Sequence, residues 1–211
     1  MPEPIPDAAI AAIIAAGHRL DLRNWVPATA GNFSLRLPGG RIAVTRSGVH
    51  KGFLGPEHAM VVDGEGLPED PALRPSAETL LHCGIYRRFP EARAVLHGHS
   101  IANTVLSRRA GKAIVLQGYE LLKAFPGLPT HDAAVSVPVV PNDQDIARMQ
   151  RGLERRWGAM AGAGEAIPPG YLIRGHGIYV WAETMDGALA RLEALEFMLE
   201  CELQDWKERE R

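Results

Sequence analysis

The sequence predicts an α/β fold in which a mixed, largely antiparallel β-sheet is covered by helices. Three observations carry that reading. Two pairs of strand-like runs fold back on glycine-containing turns, at 32–45 and at 171–181. Between them, helix-period and strand-period runs alternate too quickly for a strict parallel βαβ repeat. The chain then closes on a long apolar stripe recurring every three or four residues.

Asp7 can cap an opening helix that reaches about Asn24, with Ile10, Ile13 and Ile14 at helical spacing, before Trp25-Val-Pro27 ends it. From Asn32 to Thr45, Phe33, Leu35 and Leu37 alternate with polar residues, Pro38-Gly39-Gly40 turns, and Ile42-Ala-Val44 returns as a hairpin. A short strand at Met60-Val-Val62 follows, and Ser76, after Pro75, is the expected N-cap of a helix to about Arg88. Arg93 to His97 reads as a buried strand, Ile101 to Arg109 as a helix, and Ala113 to Gln117 as a strand. A helical turn is expected at Tyr119 to Ala124, a strand at Val135 to Val140, a helix from Asn142 to about Trp157, then a Gly/Ala loop. Tyr171 to Arg174 and Ile178 to Trp181 pair across Gly175-His176-Gly177, and Met185, Leu189, Leu192, Leu195, Leu199, Leu203 and Trp206 mark a terminal helix after Thr184.

With 211 residues, 46% of them hydrophobic, and no shift in composition, one domain spanning 1–211 is expected. Twenty-five acids against 23 bases give a net charge of -2, which offers no global attraction to nucleic acid or to anionic membranes. Cys83 and Cys201 form no Cys-x-x-Cys pair and read as reduced, buried thiols. The apolar run from Ala8 to Ala16 lacks a basic flank and is too short to span a bilayer, so a soluble, cytoplasmic protein is expected.

Chemistry concentrates in three clusters. His97-Gly98-His99 ends a strand, where residues two apart face the same side, so two imidazoles can converge. His176, flanked by glycines, can approach as a third ligand of an open catalytic zinc site. Taken alone, His-x-His is also what any strand with alternate polar residues carries. Thr29-Ala-Gly-Asn32 and Ser47-Gly48-Val-His-Lys51 expose turn amides beside Ser, Thr and Lys side chains, and with the helix start at Ser76 they suit a phosphate. Each glycine by itself is equally explained as a turn former. Glu78 and Glu120 are candidate bases for removing a proton next to a carbonyl, although Glu78 could simply meet its helix dipole. His18, His50, His58, His82 and His131 read as surface or supporting groups, with His82 one helical turn from Glu78. Lys123 and Arg174 read as solvated charges.

In order along the chain, Thr29-Ala-Gly-Asn32, Thr45-Arg-Ser-Gly48, Pro75-Ser-Ala-Glu78, His97-Gly-His99 and Arg174-Gly-His-Gly177 resemble the class II aldolase family, which includes adducin head domains. Gly118-Tyr-Glu120, Lys123-Ala124, Thr130-His131, Asn142-Asp-Gln-Asp-Ile146 and Leu195-Glu-Phe197 resemble the branch that dehydrates methylthioribulose 1-phosphate in methionine salvage. The resemblance implies a three-layer α/β/α fold around a mixed, mainly antiparallel sheet, zinc on His97, His99 and His176, and a homotetramer with sites near subunit contacts. It also implies phosphate binding at Gly31, Asn32, Ser47, Gly48 and Ser76. The aldolase branch uses the glutamate matching Glu78 as acid/base, the dehydratase branch the one matching Glu120; this chain has both. Gly98 stands where many members have threonine. The implied reaction is a hydro-lyase step from 5-methylthioribulose 1-phosphate to 2,3-diketo-5-methylthiopentyl 1-phosphate. Alternatives within the fold are aldol cleavage of a fuculose 1-phosphate type substrate or 4-epimerisation of a ribulose 5-phosphate type. A non-enzymatic adducin-like binding module would need none of the three histidines, which this chain retains.

Overall fold

The computed structural model describes residues 3–163 and 168–210. Its centre is an eight-stranded sheet built from β1 (Asn32–Arg36), β2 (Ile42–Thr45), β3 (Ala59–Val62), β4 (Ala94–Gly98), β5 (Ala113–Gln117), β6 (Ala134–Val140), β7 (Gly170–Ile173) and β8 (Gly177–Ala182). The strand order is β3-β2-β1-β4-β8-β7-β6-β5, and the pairing is antiparallel except between β6 and β7. The expected mixed, mainly antiparallel sheet is therefore present.

Helices α1 (Asp7–Asp21), α3 (Ile101–Arg109) and α5 (Met185–Arg209) share one apolar cluster with one face of the sheet, including Leu20, Ala102, Leu96, Ile178, Leu192 and Leu199. Helices α2 (Thr79–Arg88) and α4 (Ile146–Gly162) cover the other face, where Leu81, Ile85, Leu153 and Trp157 pack on Val95, Tyr171 and Trp181. Alternation along each strand sends neighbouring residues to opposite faces, so both must be roofed, and three layers result. No described helix is long and apolar enough to cross a membrane.

Differences from the sequence expectations lie mostly at element ends. Asp7 is the first helical residue of α1 rather than its cap; Pro6 occupies the cap position, and the helix stops at Asp21. Ser76 does not cap α2, which starts at Thr79 with Glu78 in the cap position. The helix expected from Asn142 begins at Ile146, capped by the Asp145 carboxylate on the Arg148 amide, and continues through Gly158 to Gly162. It carries part of the expected Gly/Ala loop; 164–167 lie outside the described residues. Thr184 caps α5 through the Gly187 amide at 3.0 Å. Cys83 and Cys201 are free thiols, as expected, but only Cys83 is buried.

Candidate active site

Strand β4 delivers His97 to the centre of the sheet, and His99 follows just beyond the strand end, its amide hydrogen-bonded to the Trp25 carbonyl at 2.6 Å. The two rings face the same side, with centroids 4.4 Å apart. His176 arrives from the β7–β8 turn, 5.2 Å from His97 and 4.8 Å from His99 between ring centroids. Gly177 permits this approach, because a Cβ there would lie 2.5 Å from the Gly98 carbonyl oxygen and 2.6 Å from Cε1 of His97.

One ligand atom from each of the three histidines lies within 4.8 Å of the others, so this group can hold a metal ion. The chemistry of the donors fits. Nδ1 of His97 donates to the Ile178 carbonyl at 3.0 Å, which leaves Nε2 as the nitrogen turned toward the other two histidines and open to a metal. That Nε2 and the Nδ1 of His176 are buried without a hydrogen-bond partner. Burial, reinforced by His97 and His176, lowers the His99 pKa to about 3, so His99 is neutral near pH 7, the form that ligates.

Glu78 closes the cluster. Its Oε2 is 3.2 Å from Nε2 of His97 and its Oε1 is 3.1 Å from Nε2 of His176. Tyr179 Oη and Asn32 Nδ2 each donate to Oε2 at 2.9 Å. The Glu78 side chain caps no helix amide, so its helix-end position does not account for it. Burial pushes this carboxyl pKa up, but His97 and His176 outweigh burial and hold it well below the usual carboxylate range. Tyr179 also stacks on His97, with centroids 4.1 Å apart and planes 13° from parallel, and Tyr171 stacks on Tyr179 in turn.

His82 does not bond to Glu78 directly, although one turn separates them on α2. It is fully buried and reaches Glu78 through Asn32.

The expected phosphate turns converge on the same region. Gly31 takes φ +78°, and a Cβ there would lie 2.8 Å from the His97 carbonyl oxygen, so this turn rests directly on the metal-side strand. An isolated bridge joins Arg46 to Pro75 and the Ser47 amide donates to the Arg74 carbonyl, which sets Ser47 and Gly48 beside the segment carrying Ser76. Lys51 is buried, its ammonium donating to the carbonyls of Thr29 at 2.9 Å and Val49 at 2.6 Å. It ties the two glycine-bearing turns together.

Glu120 is placed differently. Its side chain is 71% exposed and is paired with Lys123 and, at 3.9 Å, with His131 rather than with the three histidines. Lys123 is thus paired rather than solvated alone. Arg174 donates to the carbonyls of Ser107, Ala110 and Gly111 and closes the end of α3.

A cleft of about 650 Å³ opens on His99 and His176, walled by Ile101, Val105, Thr104 and Asn142. A second cavity of about 710 Å³, between Phe125, Met160 and Trp181, has none of the three histidines in its wall. Of the two, only the first meets the histidine cluster.

An α/β/α sheet carrying a three-histidine centre beside a buried carboxylate defines the class of protein. Residues 11–203 match the model of the class II aldolase and adducin N-terminal domain, and the chain belongs to that family. It is 56% identical over 197 residues to a methylthioribulose-1-phosphate dehydratase of Gluconacetobacter diazotrophicus, covering 93% of each chain. It is 55% identical over 205 residues to a protein of the same name from Granulibacter bethesdensis, covering 94% of this chain and 92% of that one. Among solved structures it resembles the L-fuculose-1-phosphate aldolase of Thermus thermophilus, with a TM-score of 0.76 and 25% identity, covering 97% of this chain and 98% of that one.

Proposed function

We propose that this chain is a hydro-lyase that dehydrates 5-methylthioribulose 1-phosphate to 2,3-diketo-5-methylthiopentyl 1-phosphate, a step of methionine salvage. The observation that carries the reading is the meeting of His97, His99 and His176 beside Glu78 at the mouth of a cleft. Relatives above 50% identity over most of the chain bear the name of that activity.

The three histidines would hold Zn²⁺, whose contribution when bound is Lewis-acid polarisation of the substrate's carbonyl and hydroxyl oxygens. The amides of Gly31 and Gly48, the hydroxyls of Ser47 and Ser76 and the second Nδ2 hydrogen of Asn32 bind the phosphate. Lys51 acts on it by fixing the two turns against each other. Ile101 and Val105 give the methylthio end an apolar wall next to His99. A carboxylate removes the C3 proton, the C4 hydroxyl takes up a proton from the carboxylic acid so formed and departs as water, and the resulting enol tautomerises to the diketone. Glu78 is in place within the chain to move a proton at that centre. Glu120, the base that the dehydratase branch suggests, serves by reaching the site of a neighbouring copy in a cytoplasmic homotetramer.

Zinc-loaded and chelator-stripped protein, incubated with methylthioribulose 1-phosphate and followed by mass spectrometry, tests the reading. Zinc-dependent loss of one water is expected; intact substrate in both samples overturns it. A second reading, aldol cleavage, is favoured by Glu78 rather than Glu120 lying against the histidines, and it predicts dihydroxyacetone phosphate among the products. Mixing inactive Glu78→Gln and Glu120→Gln proteins separates the carboxylate roles. Recovery of activity on subunit exchange is expected if Glu120 works across an interface, and none if both act in one chain.

A further inference from the structure

Glu78 is also the end of a buried chain of polar side chains. Asn32 Nδ2 donates to Glu78 Oε2 at 2.9 Å, and Asn32 Oδ1 meets Nε2 of His82. Nδ1 of His82 lies 2.7 Å from Ser34 Oγ, which lies 2.8 Å from the phenol oxygen of Tyr86. His82 and Ser34 are fully buried, and Asn32 is 3% exposed. Tyr179 stands edge-on against the His82 ring, with centroids 5.6 Å apart, and so holds its plane.

The chemistry of these groups fixes the direction of every bond. A carboxylate only accepts, so the amide group of Asn32 facing Glu78 is its NH2 and its carbonyl oxygen faces His82. That oxygen also only accepts, so Nε2 of His82 carries hydrogen. An imidazolium buried without a carboxylate in contact is costly, so the ring is neutral and Nδ1 accepts from Ser34. Ser34 then receives the Tyr86 hydroxyl hydrogen. All four donors point toward Glu78, and bonds aligned in this way polarise one another.

We propose that His82 is a positioning residue: its Nε2–H tautomer, set by Ser34 and Tyr86, keeps Asn32 turned with its NH2 on Glu78 and so fixes the carboxylate that faces the histidines. The opposite tautomer turns the Asn32 carbonyl toward Glu78, setting oxygen against oxygen and releasing the carboxylate from its site. Asn32 acts here through its side-chain carbonyl oxygen and one hydrogen of its Nδ2, while its backbone lies in the β1–β4 ladder opposite His97. The inference rests on Glu78 moving a proton in the proposed reaction.

Two substitutions separate the two faces of the ring. His82→Gln places a side-chain amide near the Nε2 position and keeps a donor to Asn32. His82→Asn matches Nδ1 and does not reach Asn32. On the zinc-loaded enzyme, His82→Asn is expected to lower kcat about 10–100-fold, the range typical of groups that orient catalytic residues from behind, with KM changed less than about twofold. His82→Gln recovers most of that loss, and both variants bind zinc as the parent does. Nitrogen-15 spectra of the metal-free parent should show His82 as the Nε2–H tautomer, its signals being those lost in His82→Asn. An Nδ1–H tautomer overturns the proposal, as does parental kcat in His82→Asn when Glu78→Gln is inactive. Full activity in Glu78→Gln would instead overturn the role of Glu78, and the tautomer would still decide whether His82 orients Asn32. If His82→Asn does not fold, Ser34→Ala removes only the donor to Nδ1 and is read with the same expected sign.

Discussion

Nδ1 of His97 donates to the carbonyl oxygen of Ile178 on the adjacent strand at 3.0 Å. The β4–β8 ladder sets that distance, through the register that pairs His97 with Tyr179 and Gly98 with Ile178. The sheet itself therefore chooses the nitrogen that His97 offers to a metal. His97→Ala should lower zinc affinity by more than the about 10–100-fold that follows loss of an outer hydrogen bond to a ligand. Competition against a chelator of known affinity measures it, and unchanged zinc retention would place the metal elsewhere.

Burial, and after it the Glu78 charge, raises the Tyr179 phenol pKa well above the ordinary value, so near neutral pH its hydroxyl is a donor. Tyr179→Phe keeps the ring stacked between His97 and Tyr171 and removes the hydroxyl that donates to Glu78 at 2.9 Å. Hydrogen bonds to charged groups are worth about 1.5–3 kcal/mol, so the unfolding free energy should fall by about that much with no change in denaturant slope. An unmoved urea midpoint would show that the bond contributes nothing.

The sequence was most legible where one periodicity governed a whole element. The hairpin around Pro38-Gly39-Gly40, helix α3 and strand β5 stand where their patterns put them. His97 and His99 share a side because strand geometry dictates it, and the glycines beside His176 do allow its approach. What escaped was set by distant residues. Glu78 read as a candidate base or a helix-end acid, and the sequence did not show that Asn32, Tyr179 and two histidines claim its carboxylate. Periodicity on α2 placed His82 near Glu78 but gave no sign that Asn32 stands between them. Lys51 read as part of a phosphate site from its charge, and the sequence hid the Thr29 and Val49 carbonyls that hold its ammonium.

Burial lowers the Lys51 pKa from its ordinary 10.5 to about 8. Between these values the unfolded chain binds a proton that the folded protein lacks, so this residue makes stability rise with pH from about 8 to 10.5. Lys51→Met has no such titration. Wild-type stability minus that of Lys51→Met, from urea melts at each pH, should be flat below about 8 and climb through that window. A flat difference throughout would mean that the ammonium is solvated.

Glu196 on α5 titrates in the opposite sense. Its carboxylate accepts from Ser100 Oγ at 2.5 Å and from Asn103 Nδ2 at 2.7 Å, which joins α5 to the start of α3 beside the cleft. Burial, with a smaller push from the charge of Glu200, outweighs those two bonds and raises its pKa from 4.5 to about 7. From pH 4.5 to about 7 the folded protein keeps a proton that the unfolded chain releases, so its contribution is complete below that window and is lost as pH rises through it. Glu196→Gln is neutral throughout and can still bond Ser100, whose hydroxyl rotates to accept or donate. Relative to wild type, the stability of Glu196→Gln should climb across the same window by at most about 3 kcal/mol and level off above it. Parallel pH profiles for the two proteins would show that Glu196 ionises as an ordinary carboxylate. Its bonds to Ser100 and Asn103 would then compensate fully for its burial.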